Sequence, residues 1–331
     1  MDVDVFVTQP IPQPGLDLLA RAHPGFRINT EERVLEHSEL LERVRGAAGI
    51  LALLTDRVDA EVLDAAGPQL RIVANMAAGF DNIDLREASA RGVMVTNTPG
   101  VLTDATADLA WALLFAVARR VPEAERFLRA GRFRCWGPLL FLGADVTGRT
   151  LGVVGAGRIG SAVARRARGF DMKVLYCNRS PRPGLETGLG VRKVPLEELL
   201  GEADFVSLHL PLTPETRHLI DARALALMKP TAFLVNTGRG PLVDEAALVE
   251  ALAAGRLAGA ALDVFEREPE VHPGLLARDD VVLTPHIGSA TTSARARMAV
   301  MAAGNLVAGL RGERPPNLLG GETWEKKRPR E

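Results

Sequence analysis

The sequence predicts an α/β protein of two domains, each a mainly parallel sheet flanked by helices. Three observations carry that expectation. Short apolar, β-branched runs alternate with helix-period stretches along the chain. The length, 331 residues, suits about two domains. The rhythm breaks at Asn97-Thr98-Pro99-Gly100, a breaker cluster, and then begins again.

The first series has apolar runs expected as strands at 3–7, 50–54 and 71–75, with helices at 14–22 and 59–66. After the breaker, 102–129 is helix-competent and interrupted only by Pro122. The second series has strands expected at 150–154, 173–177, 204–208, 232–236, 259–263 and 281–284. A last helix, 289–310, is strongly apolar on one face. The second series is complete with about six strands. The first, with about five, lacks a covering helix, which the last helix can supply. A coenzyme-type domain is therefore expected at 101–287, and a discontinuous domain at 1–100 plus 288–331. The charged end, Glu322 to Glu331, is expected to fray.

Composition narrows the function. A formal net charge of −1 argues against nucleic acid as the main partner. At 47% hydrophobic content, charge-driven disorder is excluded. Cys135 and Cys177 lie far apart and lack a metal-ligand spacing, so neither a disulfide framework nor a metal is expected, and a reducing cytoplasm fits. Met1-Asp2-Val3-Asp4 makes a poor signal peptide, and no run reaches the roughly 18 apolar residues of a membrane span. Only five of the 40 basic residues are Lys, a bias that fits a GC-rich genome or heat adaptation equally.

Gly155-Ala156-Gly157-Arg158-Ile159-Gly160 follows an expected strand and opens an expected helix. In that context the pattern reads as a Rossmann-type pyrophosphate turn. Gly155 makes the tight turn, Gly157 admits the pyrophosphate to the backbone, and Gly160 lets helix and strand approach. The helix start then offers free N–H groups and the positive dipole end. An NAD-selective site usually has an acid about 20 residues on. Here the slot is Asn178, followed by Arg179 and Ser180, with Arg182 close behind. A guanidinium and a hydroxyl suit a 2′-phosphate, so NADP(H) is favoured and NAD(H) stays possible. The alternative is that Arg179 is a solvated loop cation and both cofactors bind.

Three further segments sit just past expected strand ends, the edge where doubly wound sheets bind ligands. They are Asn236-Thr237-Gly238-Arg239-Gly240, the run from Leu262 to Pro269, and Thr284-Pro285-His286-Ile287-Gly288-Ser289. Hydride chemistry on a 2-oxo or 2-hydroxy acid needs a cation for the carboxylate and carbonyl, which Arg239 offers as a fork of donors. It needs a proton donor for the nascent alkoxide, a task for His286. It gains from a carboxylate that holds the imidazole tautomer and favours its charged form, as Glu268 could. Taken singly, each has a bland reading as surface charge or structural histidine. His23, His37, His218 and His272 carry no assignment, and His209 reads as wall or cofactor loop.

Together these residues resemble the D-isomer-specific 2-hydroxyacid dehydrogenases, closest to the glyoxylate/hydroxypyruvate reductase branch. Ala78-Gly79-Phe80-Asp81-Asn82-Ile83-Asp84, Asn97 to Thr103, Ala105 to Ala110, the glycine turn, Asn236 to Gly240, Gly259 to Val264 and Pro285 to Ser289 carry the match, which covers nearly the whole chain. The resemblance implies a flavodoxin-like α/β substrate domain beside the Rossmann-type domain, with a cleft between them. It implies reduction of glyoxylate or hydroxypyruvate, with Arg239 binding substrate, Glu268 setting the pKa and His286 as acid/base. Ala78 and Gly79 match the loop whose N–H groups hold the substrate carboxylate, and Ser289 lines the substrate pocket. Ala156 to Ile159 match the pyrophosphate turn and Arg179 to Arg182 the 2′-phosphate loop. Thr106, Pro211, Thr216, Thr237, Gly238, Asp263, His286 and Gly288 match positions around adenosine and nicotinamide. Trp136 is similar to a tryptophan inserted into a partner's pocket, which implies a homodimer. Ala78 stands where related reductases often have Val, and Asp104 where Glu is common. The phosphoglycerate branch usually has an acid at the Asn178 slot and often a regulatory domain, for which little chain follows the last helix. The alternatives are another D-2-hydroxyacid dehydrogenase, lactate- or phosphoglycerate-like, or a non-catalytic dinucleotide-sensing interaction protein.

Overall fold

The computed structural model describes residues 3–31 and 33–320, so the charged end from Glu322 lies outside the described residues. The chain divides into two compact units, Met1–Leu102 with Ala290–Glu331, and Thr103–Ser289.

The first unit opens with β1 (Val5–Val7), α1 (Gln13–Ala22), β2 (Arg27–Ile28), α2 (His37–Arg43), β3 (Gly49–Ala52), α3 (Ala60–Ala66), β4 (Ile72–Asn75), α4 (Leu85–Ala90) and β5 (Met94–Thr96). The central strands β1, β3, β4 and β5 are wholly buried, which explains the continuous apolar reading of the first three. Asp59, expected as the first residue of a helix, is instead the cap of α3 and accepts from the Glu61 and Val62 amides. Sequence patterning leaves out β2, α2, α4 and β5; α4 and β5, at six and three residues, are too short to show a period. A two-residue edge strand has no alternation to read, and α2 starts on a Glu36–Glu39 capping box rather than on a Ser, Thr, Asp or Asn cap.

The second unit begins with α5 (Thr103–Ala118) and α6 (Val121–Arg129). The expected helix 102–129 is thus two helices, and the break falls before Pro122. Arg120 takes a left-handed conformation, φ 53°, and Pro122 sits in the first turn of α6, where a missing N–H is harmless. Then follow β6 (Thr150–Val154), α7 (Arg158–Arg166), β7 (Lys173–Cys177), α8 (Pro183–Leu189), β8 (Arg192–Lys193), α9 (Leu196–Glu202), β9 (Phe205–Leu208), α10 (Ala222–Leu227), β10 (Phe233–Asn236), α11 (Glu245–Ala253), β11 (Gly259–Leu262), α12 (Pro273–Leu276) and β12 (Val281–Leu283). The all-parallel sheet runs β12-β11-β10-β9-β6-β7-β8, so the order reverses between β6 and β9. Apolar clusters cover both of its faces, one under α9, α10 and α11 and one under α5 and α7. The sheet has seven strands rather than about six, the extra one being the short, exposed edge strand β8.

The chain returns to the first unit with α13 (Thr292–Leu310) and β13 (Leu318–Leu319). Met298, Ala299, Ala302, Ala303, Leu306 and Leu310 bury one stripe of α13 on β3, β4 and α1. A Cβ on Gly15 of α1 would lie 2.7 Å from the Ala299 Cβ, so the two helices meet through small residues. The completed sheet runs β13-β5-β4-β3-β1-β2, with β13 antiparallel and the others in the flavodoxin-like order. It has six strands where about five were expected, again because of a two-residue edge strand.

Candidate functional site

In the second unit, the glycine turn lies at the point where strand order reverses. Gly155 adopts φ +94° and its N–H donates to the Cys177 carbonyl. A Cβ on Gly160 would lie 2.0 Å from the Gly155 carbonyl oxygen, so helix α7 leaves the strand as closely as the sequence implied. A Cβ on Gly157 would meet nothing within 4 Å, which leaves room beside the helix start. The pyrophosphate of a dinucleotide fits there.

The next strand ends at Asn178, whose amide donates to the Ser180 carbonyl at 2.8 Å. Arg179, Ser180 and Arg182 are exposed. Tyr176, fully buried, pins this loop: its hydroxyl accepts from the Arg182 N–H at 2.7 Å and bonds Glu186 at 2.5 Å. Sequence reasoning passed over Tyr176, although it is the chain's one tyrosine. Thr216 closes its own turn by donating to the Pro211 carbonyl at 2.8 Å. Two buried polar atoms at the same sheet edge, Thr237 Oγ1 and His209 Nδ1, have no hydrogen-bond partner among the described residues. Burial pushes His209 down to about 3, so its ring is neutral. Orphaned buried polar atoms cost free energy that a bound ligand would offset, and a dinucleotide supplies suitable groups.

Past β10, Asn236 makes the local turn. Its side-chain oxygen accepts from the Gly238 N–H at 3.0 Å, and its amide donates to the Arg239 carbonyl at 2.8 Å. Arg239 Nη1 donates to the Gly238 carbonyl. A Cβ on Gly240 would lie 1.9 Å from the Phe265 carbonyl, so the arginine turn rests directly on the segment that leads to Glu268. An asparagine at a strand end, two residues before a glycine whose N–H can donate to it, is the signal that could have found Asn236.

His286 and Glu268 meet. His286 Nδ1 lies 2.8 Å from Glu268 Oε2, and Glu268 Oε1 accepts from the Phe265 N–H at 3.0 Å. Burial raises the Glu268 pKa, but the His286 hydrogen bond and charge, the Phe265 amide and the Arg239 charge together outweigh it and hold the carboxyl below its ordinary range. Glu268 is therefore anionic at neutral pH. His286 itself has φ 52°, and its N–H donates to the Asp263 carbonyl at 2.9 Å. Asp263, fully buried, accepts from Thr284 Oγ1 at 2.6 Å, the Ile287 N–H at 2.8 Å and the Gly288 N–H at 2.7 Å. Its pKa is raised because burial outweighs those donors. Expected beside the cofactor, Asp263 directs both carboxylate oxygens to the loop that carries His286. Thr106, on α5, is buried against Gly288, and Ser289 is half-buried one residue on.

In the first unit, Ala78 and Gly79 lie on the loop after β4 and are half-buried. Trp136, on the segment after α6, is 78% exposed amid other exposed apolar side chains, Phe133, Leu139 and Leu142. Among the described residues no His, Cys, Asp or Glu cluster could hold a metal, and no helix is long and apolar enough to cross a membrane.

Residues 111–288 match the family model for the D-isomer specific 2-hydroxyacid dehydrogenase NAD binding domain. The chain is 52% identical over 333 aligned positions to a glyoxylate reductase of Thermococcus onnurineus, covering 99% of each. It is 53% identical to a glyoxylate reductase of Korarchaeum cryptofilum, covering 98% of each. An NADPH-dependent glyoxylate/hydroxypyruvate reductase from Sinorhizobium meliloti, solved with NADP and malonate, superposes with a TM-score of 0.85 at 35% identity over the full length of both chains.

Proposed function

Because the chain belongs to the D-isomer specific 2-hydroxyacid dehydrogenase family, we infer that it is an NAD(P)H-dependent oxidoreductase that reduces glyoxylate and hydroxypyruvate to glycolate and D-glycerate. The observation that carries the chemistry is the 2.8 Å contact between His286 Nδ1 and Glu268 Oε2 at the carboxyl edge of the sheet. Nδ1 is committed to the carboxylate, so Nε2 is the nitrogen that carries the proton to the substrate oxygen. The Glu268 anion stabilises the charged imidazole until that proton leaves. Arg239 clamps the carboxylate and polarises the 2-oxo group with its fork of donors. Bound nicotinamide dinucleotide supplies the hydride for the 2-oxo carbon. Gly155 to Gly160 would hold its pyrophosphate, and Thr106, Pro211, Thr216, Thr237, Gly238 and Gly288 its remaining length. Ala78, Gly79 and Ser289 are proposed to bind the substrate.

The finer reading is a preference for NADP(H). Its support is the absence of an acid at the Asn178 slot and the exposed Arg179, Ser180 and Arg182 held on the Tyr176 anchor. A homodimer, with Trp136 reaching the partner's substrate pocket, is supported by the exposed apolar run around that residue. The cytoplasm is the proposed compartment, supported by two cysteines that are both free thiols.

The test is the initial rate of NADPH and NADH oxidation with glyoxylate, hydroxypyruvate, pyruvate and phosphohydroxypyruvate. The highest kcat/KM is expected with the first two and NADPH. Dominance of pyruvate or the phosphorylated acid would move the chain to another branch. No oxidation with any of them would remove the enzyme reading in favour of a sensing protein.

A further inference from the structure

The loop after β4 is held in an unusual way. Three successive carbonyls are each gripped by a donor from the body of the first unit. The Ala77 carbonyl accepts from the Thr98 N–H at 2.8 Å. The Ala78 carbonyl accepts from the Asn97 side-chain amide at 2.7 Å, and the Gly79 carbonyl from the Asn75 amide at 3.1 Å. In a trans peptide the C=O and the next N–H lie in one plane and point in opposite directions. Turning the carbonyls of 77, 78 and 79 toward the sheet therefore turns the N–H groups of Ala78, Gly79 and Phe80 away from it. Among the described residues of this unit, none of those three N–H groups has an acceptor. Ala78 and Gly79 are half-buried and Phe80 is exposed.

The two gripping amides are themselves fixed. Asn75 is fully buried at the end of β4 and also donates to Asn82 Oδ1 at 2.9 Å, while the Asn82 amide donates to the Leu53 and Asp56 carbonyls at 3.0 Å each. The Asn97 carbonyl accepts from the amide of buried Asn305, on α13, at 3.2 Å. The hydrogen bonds thus run from α13 and two strand ends to three peptide planes and fix the directions of their N–H groups, as a preorganised donor set requires.

We propose that Asn75 and Asn97 are positioning residues for substrate binding, and that the Phe80 N–H joins those of Ala78 and Gly79 as a third donor to the carboxylate of a 2-oxo acid. This rests on the reading of the chain as a 2-oxo acid reductase. Three N–H groups match a carboxylate, whose two oxygens accept more than one bond each. An aldehyde without a carboxylate gains nothing from the row.

Asn97→Ala and Asn97→Asp test the positioning role. Each is expected to raise KM for glyoxylate about tenfold or more, the usual loss for hydrogen bonds to a charged group. KM for NADPH and the rate with glycolaldehyde, which lacks the carboxylate, should stay within about twofold of wild type. Equal losses on glyoxylate and glycolaldehyde, or no loss on either, would overturn it. Amide resonances of the wild-type protein with oxalate test the donor row without turnover or mutation. Shifts at Ala78, Gly79 and Phe80 together are expected, and a silent Phe80 would remove the third donor. If the wild type fails to reduce glyoxylate but oxalate moves all three amides, the reductase reading falls and the anion row stands. If it reduces glyoxylate with all three amides silent, the row falls alone.

Discussion

Replacing Glu268 with Gln isolates the charge that faces the imidazole. The carboxylate serves two donors with two oxygens, the Phe265 N–H at 3.0 Å and the His286 ring at 2.8 Å. A glutamine has one oxygen and one NH2. If the oxygen stays on Phe265, the NH2 faces Nδ1 and only a neutral ring is accommodated. If the oxygen turns to Nδ1–H, the NH2 faces the Phe265 N–H. Either way, a protonated imidazole loses one charge-assisted hydrogen bond, about 1.5–3 kcal/mol. The two side chains are 25% and 30% exposed, so solvent screens the pair in part and the lower end applies. About 1.4 kcal/mol corresponds to tenfold in rate, so glyoxylate reduction by the Glu268→Gln variant should slow by roughly tenfold. The direction follows from the depressed Glu268 carboxyl, which is ionised at neutral pH and presents a negative charge to the imidazole. The same depression contributes folding stability above the ordinary carboxylate pKa, and this is lost as pH falls through the lower native value. Initial rates of NADPH oxidation with glyoxylate measure the loss. A variant rate within about threefold of wild type would refute the pairing as the support of the proton donor.

Other substitutions probe the remaining parts. Arg179→Ala should raise KM for NADPH several-fold more than KM for NADH, because only the former carries the 2′-phosphate; equal effects in steady-state titrations of the two cofactors would remove the preference. Arg239→Lys keeps the charge but loses the fork, and kcat/KM for glyoxylate should fall about 10²-fold; a loss under about threefold would mean that no bidentate contact forms. Gly240→Ala places a methyl 1.9 Å from the Phe265 carbonyl, so the melting temperature should fall by several degrees, from overpacking worth about 1–3 kcal/mol. An unchanged melting curve would show that the two loops do not rest on each other.

Much of this molecule was legible in its residues because the physics is local. Strands β6 and β7 match their expected bounds, since a fully or mostly buried parallel strand is a continuous apolar run. The glycine turn was readable because only glycine fits a φ of +94° at Gly155 and a 2.0 Å approach at Gly160. The edge strands β2, β8 and β13 were not, since two residues cannot show a period. The helix break at Arg120 was misplaced because Pro122 is tolerated in a first helical turn. The supporting residues were the least visible. Tyr176 and the Asn75–Asn82–Asn97 set act through hydrogen bonds to loop backbone, and no spacing in the chain announces which peptide group a side chain will grip. Asp263 was singled out for the right edge of the sheet, but its part in fixing the His286 loop shows only in the bonds that its two oxygens accept.

The most direct measurement is kcat/KM for glyoxylate with His286→Asn, set beside NADPH affinity measured by fluorescence titration of the same preparation. General acid catalysis by His286 predicts a loss on the order of 10²-fold or more with NADPH affinity nearly unchanged. Turnover within about threefold of wild type, with the cofactor bound normally, would contradict the assignment of the proton donor and with it the mechanism.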